Sequence, residues 1–221
     1  MDTCRPSPDA DAGDSDLSLL SYLDCCENAF LEYQRRVEGA DFANTFGYIA
    51  YHTPFGGMVK GAHRNIMRKI AKAKPKEIEE DFQRRVTPGL TYCQRVGNIM
   101  GATASLSLLS TIENSTIETP QRIGVFSYGS GCCSEFFSGI ASSESQKRLQ
   151  AMNIKQQLDN RYELTLEEYD DLLVGSNALK FGTRNLVLDT DFIAPARKAQ
   201  GQPVLFLKEI KEFHREYEWV S

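Results

Sequence analysis

The run "FGYIAYHTPFGGMVKGAHR", residues 46–64, constrains the fold more than any other stretch of the chain. Residues 46–51 are apolar and β-prone, so they predict a short buried strand. A Thr-Pro-Phe turn follows His52, and residues 57–73 then have the spacing of a helix. Val59, Ile66, Met67 and Ile70 fall on one side of that helix and can face a core. A strand that turns straight into an amphipathic helix is a building unit of layered α/β structure. The same run leaves one imidazole at a strand end, where side chains are presented into clefts.

The other helices and strands are read from periodicity. Residues 1–14 read as loop, and Asp14 or Ser15 can cap a helix over residues 17–37. Leu19, Leu20, Leu23, Ala29, Phe30 and Tyr33 give that helix its apolar face. Pro75 ends the second helix or starts another over residues 76–86, and Pro88-Gly89 breaks the pattern. The Ala/Ser/Leu-rich stretch 102–114 predicts a helix that packs closely. Residues 122–131 predict a strand entering a glycine turn, and a second strand leaves it. A helix begins near Thr165, and the C-terminal stretch predicts one or two strands. The whole, residues 1–221, reads as one α/β domain.

Bulk properties narrow the function. The net charge is −5, which gives no support to general nucleic-acid binding. No apolar run approaches the roughly 20 residues that span a bilayer, and the acidic start lacks the apolar core of a secretion signal. A cytoplasmic protein that binds neither nucleic acid nor membrane is expected. The six cysteines (Cys4, Cys25, Cys26, Cys93, Cys132 and Cys133) include two vicinal pairs and no CxxC spacing. They predict buried free thiols and no metal site.

Charge is uneven along the chain. Residues 1–45 carry ten acids against three bases. Residues 51–76 carry seven bases and no acid. Lys60, Arg64, Arg68 and Lys72 recur every fourth residue, a stripe on one side of a helix. The stripe is either a solvated face or a surface for an anionic carrier.

Three motifs can carry chemistry. His52 can donate to a carbonyl or move a proton near neutral pH, whereas His63 and His214 have nothing catalytic around them. "YGSG", Tyr128 to Gly131, follows a strand. It is either a plain hairpin turn or a turn that aims N–H groups at a negative oxygen. Neither GxSxG nor GxGxxG spacing is present there. Asn98, in "RVGNIMGA", can cap a helix or hold a carbonyl.

Taken in order, His-Thr-Pro-Phe, Gly-Asn and Phe-Ser-Tyr-Gly-Ser-Gly resemble the C-terminal half of a 3-hydroxy-3-methylglutaryl-CoA synthase. More narrowly, the "DTCRP" opening and the histidine box resemble polyketide-pathway members that act in β-branching on acyl carrier protein. The resemblance implies a layered αβα half of a thiolase-like fold. It also implies condensation of an acetyl group, held as a thioester on a cysteine, with a β-ketoacyl thioester. His52 would then be catalytic. Asn98, Ser130, Gly131, Pro54 and Phe55 would bind the acceptor substrate. Lys60, Arg64, Arg68 and Lys72 would face the carrier.

The substrate would be an acyl carrier protein or CoA thioester, with no separate cofactor. In CoA-using members lysines follow the histidine box. Here Gly56 and Gly57 do, and Lys60 is the first base, which favours a carrier protein. The family's nucleophilic cysteine and catalytic glutamate belong to its N-terminal half, and no residue here matches their motifs. The expectation is therefore a truncated form, inactive alone, that needs an N-terminal half or a homodimer partner. The alternative is an inactive carrier-binding or subunit-pairing module.

Overall fold

The computed structural model describes residues 3–7, 10–129, 131–178, 182–189, 201 and 203–220. They form two compact units, Met1–Ile154 and Lys155–Ser221. Both lie inside the stretch read above as one domain.

The first unit opens on an antiparallel hairpin of β1 (Thr3–Ser7) and β2 (Ala10–Gly13), where loop was expected. Helix α1 (Ser15–Arg36) starts as predicted, because Asp14 Oδ1 accepts from Leu17 N–H at 2.8 Å. Its buried face differs from the predicted one. Leu20 is exposed, and Tyr22 and Cys26 are buried instead. Tyr22 is drawn inward by a polar partner described below.

The central sheet has the order β3 (Tyr48–Tyr51), β4 (Gln121–Gly129), β5 (Cys133–Ala141). β3 runs parallel to β4, and β4 antiparallel to β5. Alternation along the strands separates two cores. Ile49, Tyr51, Phe126, Tyr128 and Phe136 join Tyr22, Cys26 and Phe30 of α1 on one face. Ala50, Ile123, Val125 and Ala141 pack with Leu108 and Ile112 on the other. Gly124 sits on the first face, where a Cβ would lie 2.7 Å from the Phe136 ring.

Between β3 and β4 run four helices: α2 (Gly56–Lys69), α3 (Pro75–Arg85), α4 (Thr87–Val96) and α5 (Ala102–Asn114). The basic helix α2 buries Met58, Val59, Ala62, His63, Ile66 and Met67 beside α1. It ends at Lys69, short of the predicted residue 73. Lys72 lies beyond it in a left-handed conformation, φ 56°, and Ala73 N–H reaches Met67 O at 3.0 Å. Pro75 starts α3. Pro88-Gly89, expected as a break, instead lies in the first turn of α4. There the missing proline N–H leaves no helical bond unmade.

α5 supplies the second helical layer, and its hydroxyls replace hydrogen bonds that the neighbouring elements lack. Ser107 Oγ accepts from Tyr51 N–H (3.1 Å) on the edge strand β3. Ser110 Oγ accepts from Tyr92 N–H (3.2 Å) and donates to Pro88 O (2.6 Å). Helix α6 (Ser143–Ala151) follows β5.

In the second unit, α7 (Ile154–Asp159) and α8 (Leu166–Ala178) precede a sheet of β6 (Leu186–Val187), β7 (Val204–Lys211) and β8 (His214–Val220). The Thr165 start of α8 and the terminal strands match the sequence pattern. Helices α6 and α7 were not predicted individually.

Candidate functional site

His52 is the first residue past β3, and the sheet continues to hold its backbone. Its N–H donates to Phe126 O at 2.8 Å, and its carbonyl accepts the Tyr22 hydroxyl at 2.6 Å. The second bond explains why Tyr22 is buried. A buried phenol needs a partner, and the strand end offers an unpaired carbonyl. The imidazole is 6% exposed and lies 5.9 Å from the Tyr128 ring and 6.4 Å from the Tyr22 ring, centroid to centroid. Burial pushes its pKa down, so the ring is neutral at pH 7.

Among the described residues the imidazole makes one polar contact, Nδ1 to Thr103 Oγ1 at 2.8 Å. Thr103 opens α5 and is fully buried. Its hydroxyl also donates to Met100 O at 2.6 Å. Met100 has φ 55°, and its N–H donates to Asn98 Oδ1 at 2.9 Å. The loop carrying Asn98 is thus tied to His52 through Met100 and Thr103. Asn98 itself is exposed and shapes the turn.

Past His52, Thr53 donates its hydroxyl to Tyr51 O at 2.8 Å, and the chain turns through Pro54 and Phe55. Phe55 is 57% exposed at the start of α2. A cleft of about 230 Å³ opens here, lined by Thr53, Pro54 and Phe55 on one side and Leu90, Cys93 and Gly97 on the other. The structure therefore brings the predicted Pro54 and Phe55 together with α4, which was not predicted to take part. Gly131 lies exposed in the β4–β5 turn with φ 89°, and Ser130 lies outside the described residues.

All four stripe cations are exposed or half-exposed, but they do not form one helical row. Lys60 pairs with Glu79 of α3 (2.8 Å), and Lys72 lies past the helix end. Arg64 and Arg68 remain on the open face of α2.

Cys25, Cys26 and Cys93 are free and at least half-buried, as expected, whereas Cys132 and Cys133 are exposed on the hairpin. Burial pushes the Cys26 and Cys93 thiols up, away from thiolate. Among the described residues no cluster of three or more metal-ligating side chains occurs. No described helix is long and apolar enough to cross a membrane.

His63 is fully buried in a polar network of its own. Its Nε2–H donates to Asp81 Oδ2 (2.9 Å), and Nδ1 accepts from the Tyr51 hydroxyl (3.1 Å). Fully buried Arg85 binds the same carboxylate and the Phe42 carbonyl. Burial would raise the Asp81 pKa, but bonds from His63 and Arg85 outweigh it and hold the carboxyl far below its usual range. This network braces α2 and α3 behind the site. The sequence signal for it was the Asp81–Arg85 spacing of four residues.

The family model for hydroxymethylglutaryl-coenzyme A synthase, C-terminal, matches residues 64–219. The polyketide biosynthesis 3-hydroxy-3-methylglutaryl-ACP synthase PksG of Bacillus subtilis is 61% identical over 222 residues, covering 100% of this chain and 53% of PksG. Hydroxymethylglutaryl-CoA synthase of Enterococcus faecalis is 35% identical over 158 residues, 71% of this chain and 40% of that protein. The crystal structure of the curacin biosynthetic pathway HMG synthase superposes with a TM-score of 0.95 at 62% identity, covering 100% of this chain and 55% of that one. Other structures of that synthase hold apo, acetyl or holo donor-ACP. The chain spans about half the length of these relatives, and its αβα layering is that of their thiolase-like fold. It belongs to the hydroxymethylglutaryl-coenzyme A synthase family and corresponds to the C-terminal half of PksG-like members.

Proposed function

We propose that this chain forms the acceptor side of a hydroxymethylglutaryl thioester synthase in polyketide β-branching. In the reaction, the acetyl methyl group loses a proton to a base. A carbon–carbon bond then forms from that methyl to the β-carbonyl carbon of the acceptor thioester. The carbonyl oxygen becomes an alkoxide and takes up a proton to give the hydroxyl, and water then cleaves the thioester that still joins the condensed product to the cysteine, leaving a carboxylate on the product and a free thiol. Fixed polar groups in a dry pocket lower the barrier where that oxygen charge develops.

The observation that carries the reading is the placement of His52. It is neutral and anchored by Phe126 O, Tyr22 and Thr103, and it directly precedes Thr53, which lines the cleft with Pro54 and Phe55. His52 is the proposed catalytic residue of this chain. Pro54, Phe55, Asn98, Ser130 and Gly131 are assigned to the acceptor. The acetyl-bearing cysteine and the glutamate base are assigned to residues outside this chain, in an N-terminal half or a partner. Burial pushes the Cys25, Cys26 and Cys93 thiols up, away from the thiolate that a nucleophile needs.

The substrate is proposed to be an acyl carrier protein or CoA thioester, with no separate cofactor. Arg64, Arg68 and Lys72 would steer an acidic carrier, and Lys60 contributes less because Glu79 offsets it. The donor-ACP complexes of the curacin synthase support a carrier protein. The proposed setting is cytoplasmic, in keeping with the free thiols.

The test is His52→Ala in the assembled synthase. Condensation should be lost while acetylation of the nucleophile persists, and unchanged condensation would remove His52 from the mechanism. A second reading, an inactive carrier-binding or pairing module, draws on the raised thiols of Cys25, Cys26 and Cys93. A labelled acetyl donor checks that point, because this chain alone should not retain the label covalently.

A further inference from the structure

The two buried histidines are held in opposite ways, and the difference falls on the proposed catalytic one. His63 faces a carboxylate through Nε2, so that nitrogen carries its proton. His52 faces a hydroxyl through Nδ1. A threonine hydroxyl has one proton to give, and Thr103 gives it to Met100 O at 2.6 Å. Toward His52, Thr103 Oγ1 can therefore only accept, and Nδ1 must be the protonated nitrogen. Nε2 is left with the lone pair and has no hydrogen-bond partner among the described residues.

We propose that Thr103, fixed by the Met100 carbonyl, is a positioning residue that selects the Nδ1–H tautomer of His52 and leaves Nε2 as the ring's proton-accepting nitrogen. This deepens the proposed function and rests on it only for its kinetic consequence. Three features make the selection firm. Thr103 is fully buried, so water does not compete for its hydroxyl. The Met100 carbonyl also accepts Thr103 N–H at 3.0 Å, which fixes the carbonyl relative to the side chain. The left-handed turn at Met100 is pinned by Asn98 Oδ1. Asn98 thereby acts on His52 through two residues.

The chemical consequence is specific. In the resting site Nε2 accepts a hydrogen bond or a proton and cannot donate. It can donate to an acceptor carbonyl or a developing alkoxide only as the imidazolium, after gaining a proton. The imidazolium keeps the same bond to Thr103, because Nδ1–H is unchanged. Proton uptake and release at Nε2 therefore need no rearrangement of the ring or its support.

The test is nitrogen-15 NMR of the full 221-residue chain, labelled at its three histidines and assigned with His52→Gln and His214→Gln. The expected result is a pyrrole-type Nδ1 and a pyridine-type Nε2 for His52, with the reverse for His63. A pyrrole-type Nε2 at His52 overturns the proposal in the wild-type chain, with no variant needed. Thr103→Val should shift the His52 tautomer ratio roughly fivefold toward Nε2–H, the size of one neutral hydrogen bond, and Thr103→Ser should restore it. An unchanged ratio in folded Thr103→Val also overturns it. If the valine variant does not fold, the wild-type and serine spectra decide.

In the assembled synthase Thr103→Val should lower kcat several-fold, with KM and nucleophile acetylation retained. A tautomer result as expected with condensation indifferent to His52→Ala would refute the functional reading and leave this assignment standing.

Discussion

Asp81→Asn tests the buried network behind the site. The carboxylate accepts from His63, Arg84 and Arg85, with Arg85 bonded through Nε and Nη2 at 2.6–2.9 Å. Arg85 is fully buried. Without the negative charge, its cation loses the partner that offset its desolvation. The new amide NH2 must also face a donor, because donors approach both carboxylate oxygens. Breaking a buried pair from one side costs about 3–5 kcal/mol, a large share of the roughly 5–15 kcal/mol that holds a domain together. With a urea m-value of about 2 kcal/mol/M, the midpoint should fall by about 1.5–2.5 M, followed by far-UV circular dichroism. The double variant Asp81→Asn, Arg85→Met should recover much of the loss. It removes the stranded cation while the carbonyl of the introduced amide still accepts from His63. A single-variant loss under about 1 kcal/mol, or a double variant worse than the single, would refute the claim that charge compensation holds α2 to α3.

Two further predictions concern the same unit. Gly89→Ala would place a Cβ 2.6 Å from Thr111 Oγ1 and 2.8 Å from Ser107 Oγ. Overpacking of about 1–3 kcal/mol should outweigh a helix-propensity gain of about 1 kcal/mol and lower Tm, and a raised Tm would show that α4 and α5 are not in close contact. His52 and His63 both have pKa values pushed down by burial. The unfolded chain therefore binds more protons just below pH 6.5. Their contribution to stability is complete above that pH and declines as pH falls through 6.5 toward the folded values, so the urea midpoint should be lower at pH 5.5 than at pH 8. An equal or higher midpoint at pH 5.5 would mean that the two rings are not held neutral.

What the sequence disclosed and what it withheld divide along the distance between interacting residues. The strand-to-helix run of residues 46–64, the capped α1 and the β4–β5 hairpin were legible because periods of 2 and 3.6 are written locally. The hairpin of β1 and β2 was missed because its prolines and acids carry no such period. Pro88-Gly89 was misread as a break because the same two residues fit a helix's first turn, and only the α5 hydroxyls opposite distinguish the cases. The buried face of α1 was assigned by hydropathy alone, which put Leu20 inside and overlooked Tyr22.

The site divides in the same way. His52 and its Pro54-Phe55 turn could be singled out from one short run of sequence. Thr103 could not, because it lies 51 residues from the histidine it holds, and a threonine at the start of a small-residue helix has many other uses. Which nitrogen of His52 carries the proton is one step further removed. It depends on whether the Thr103 hydroxyl donates to the imidazole or away from it. That in turn depends on a carbonyl held in place by the left-handed backbone of Met100 and the side chain of Asn98. Each link is an ordinary hydrogen bond, and none has a sequence signature. The placement of the His52 ring was thus written locally in the chain, whereas the contact proposed to set its tautomer is tertiary.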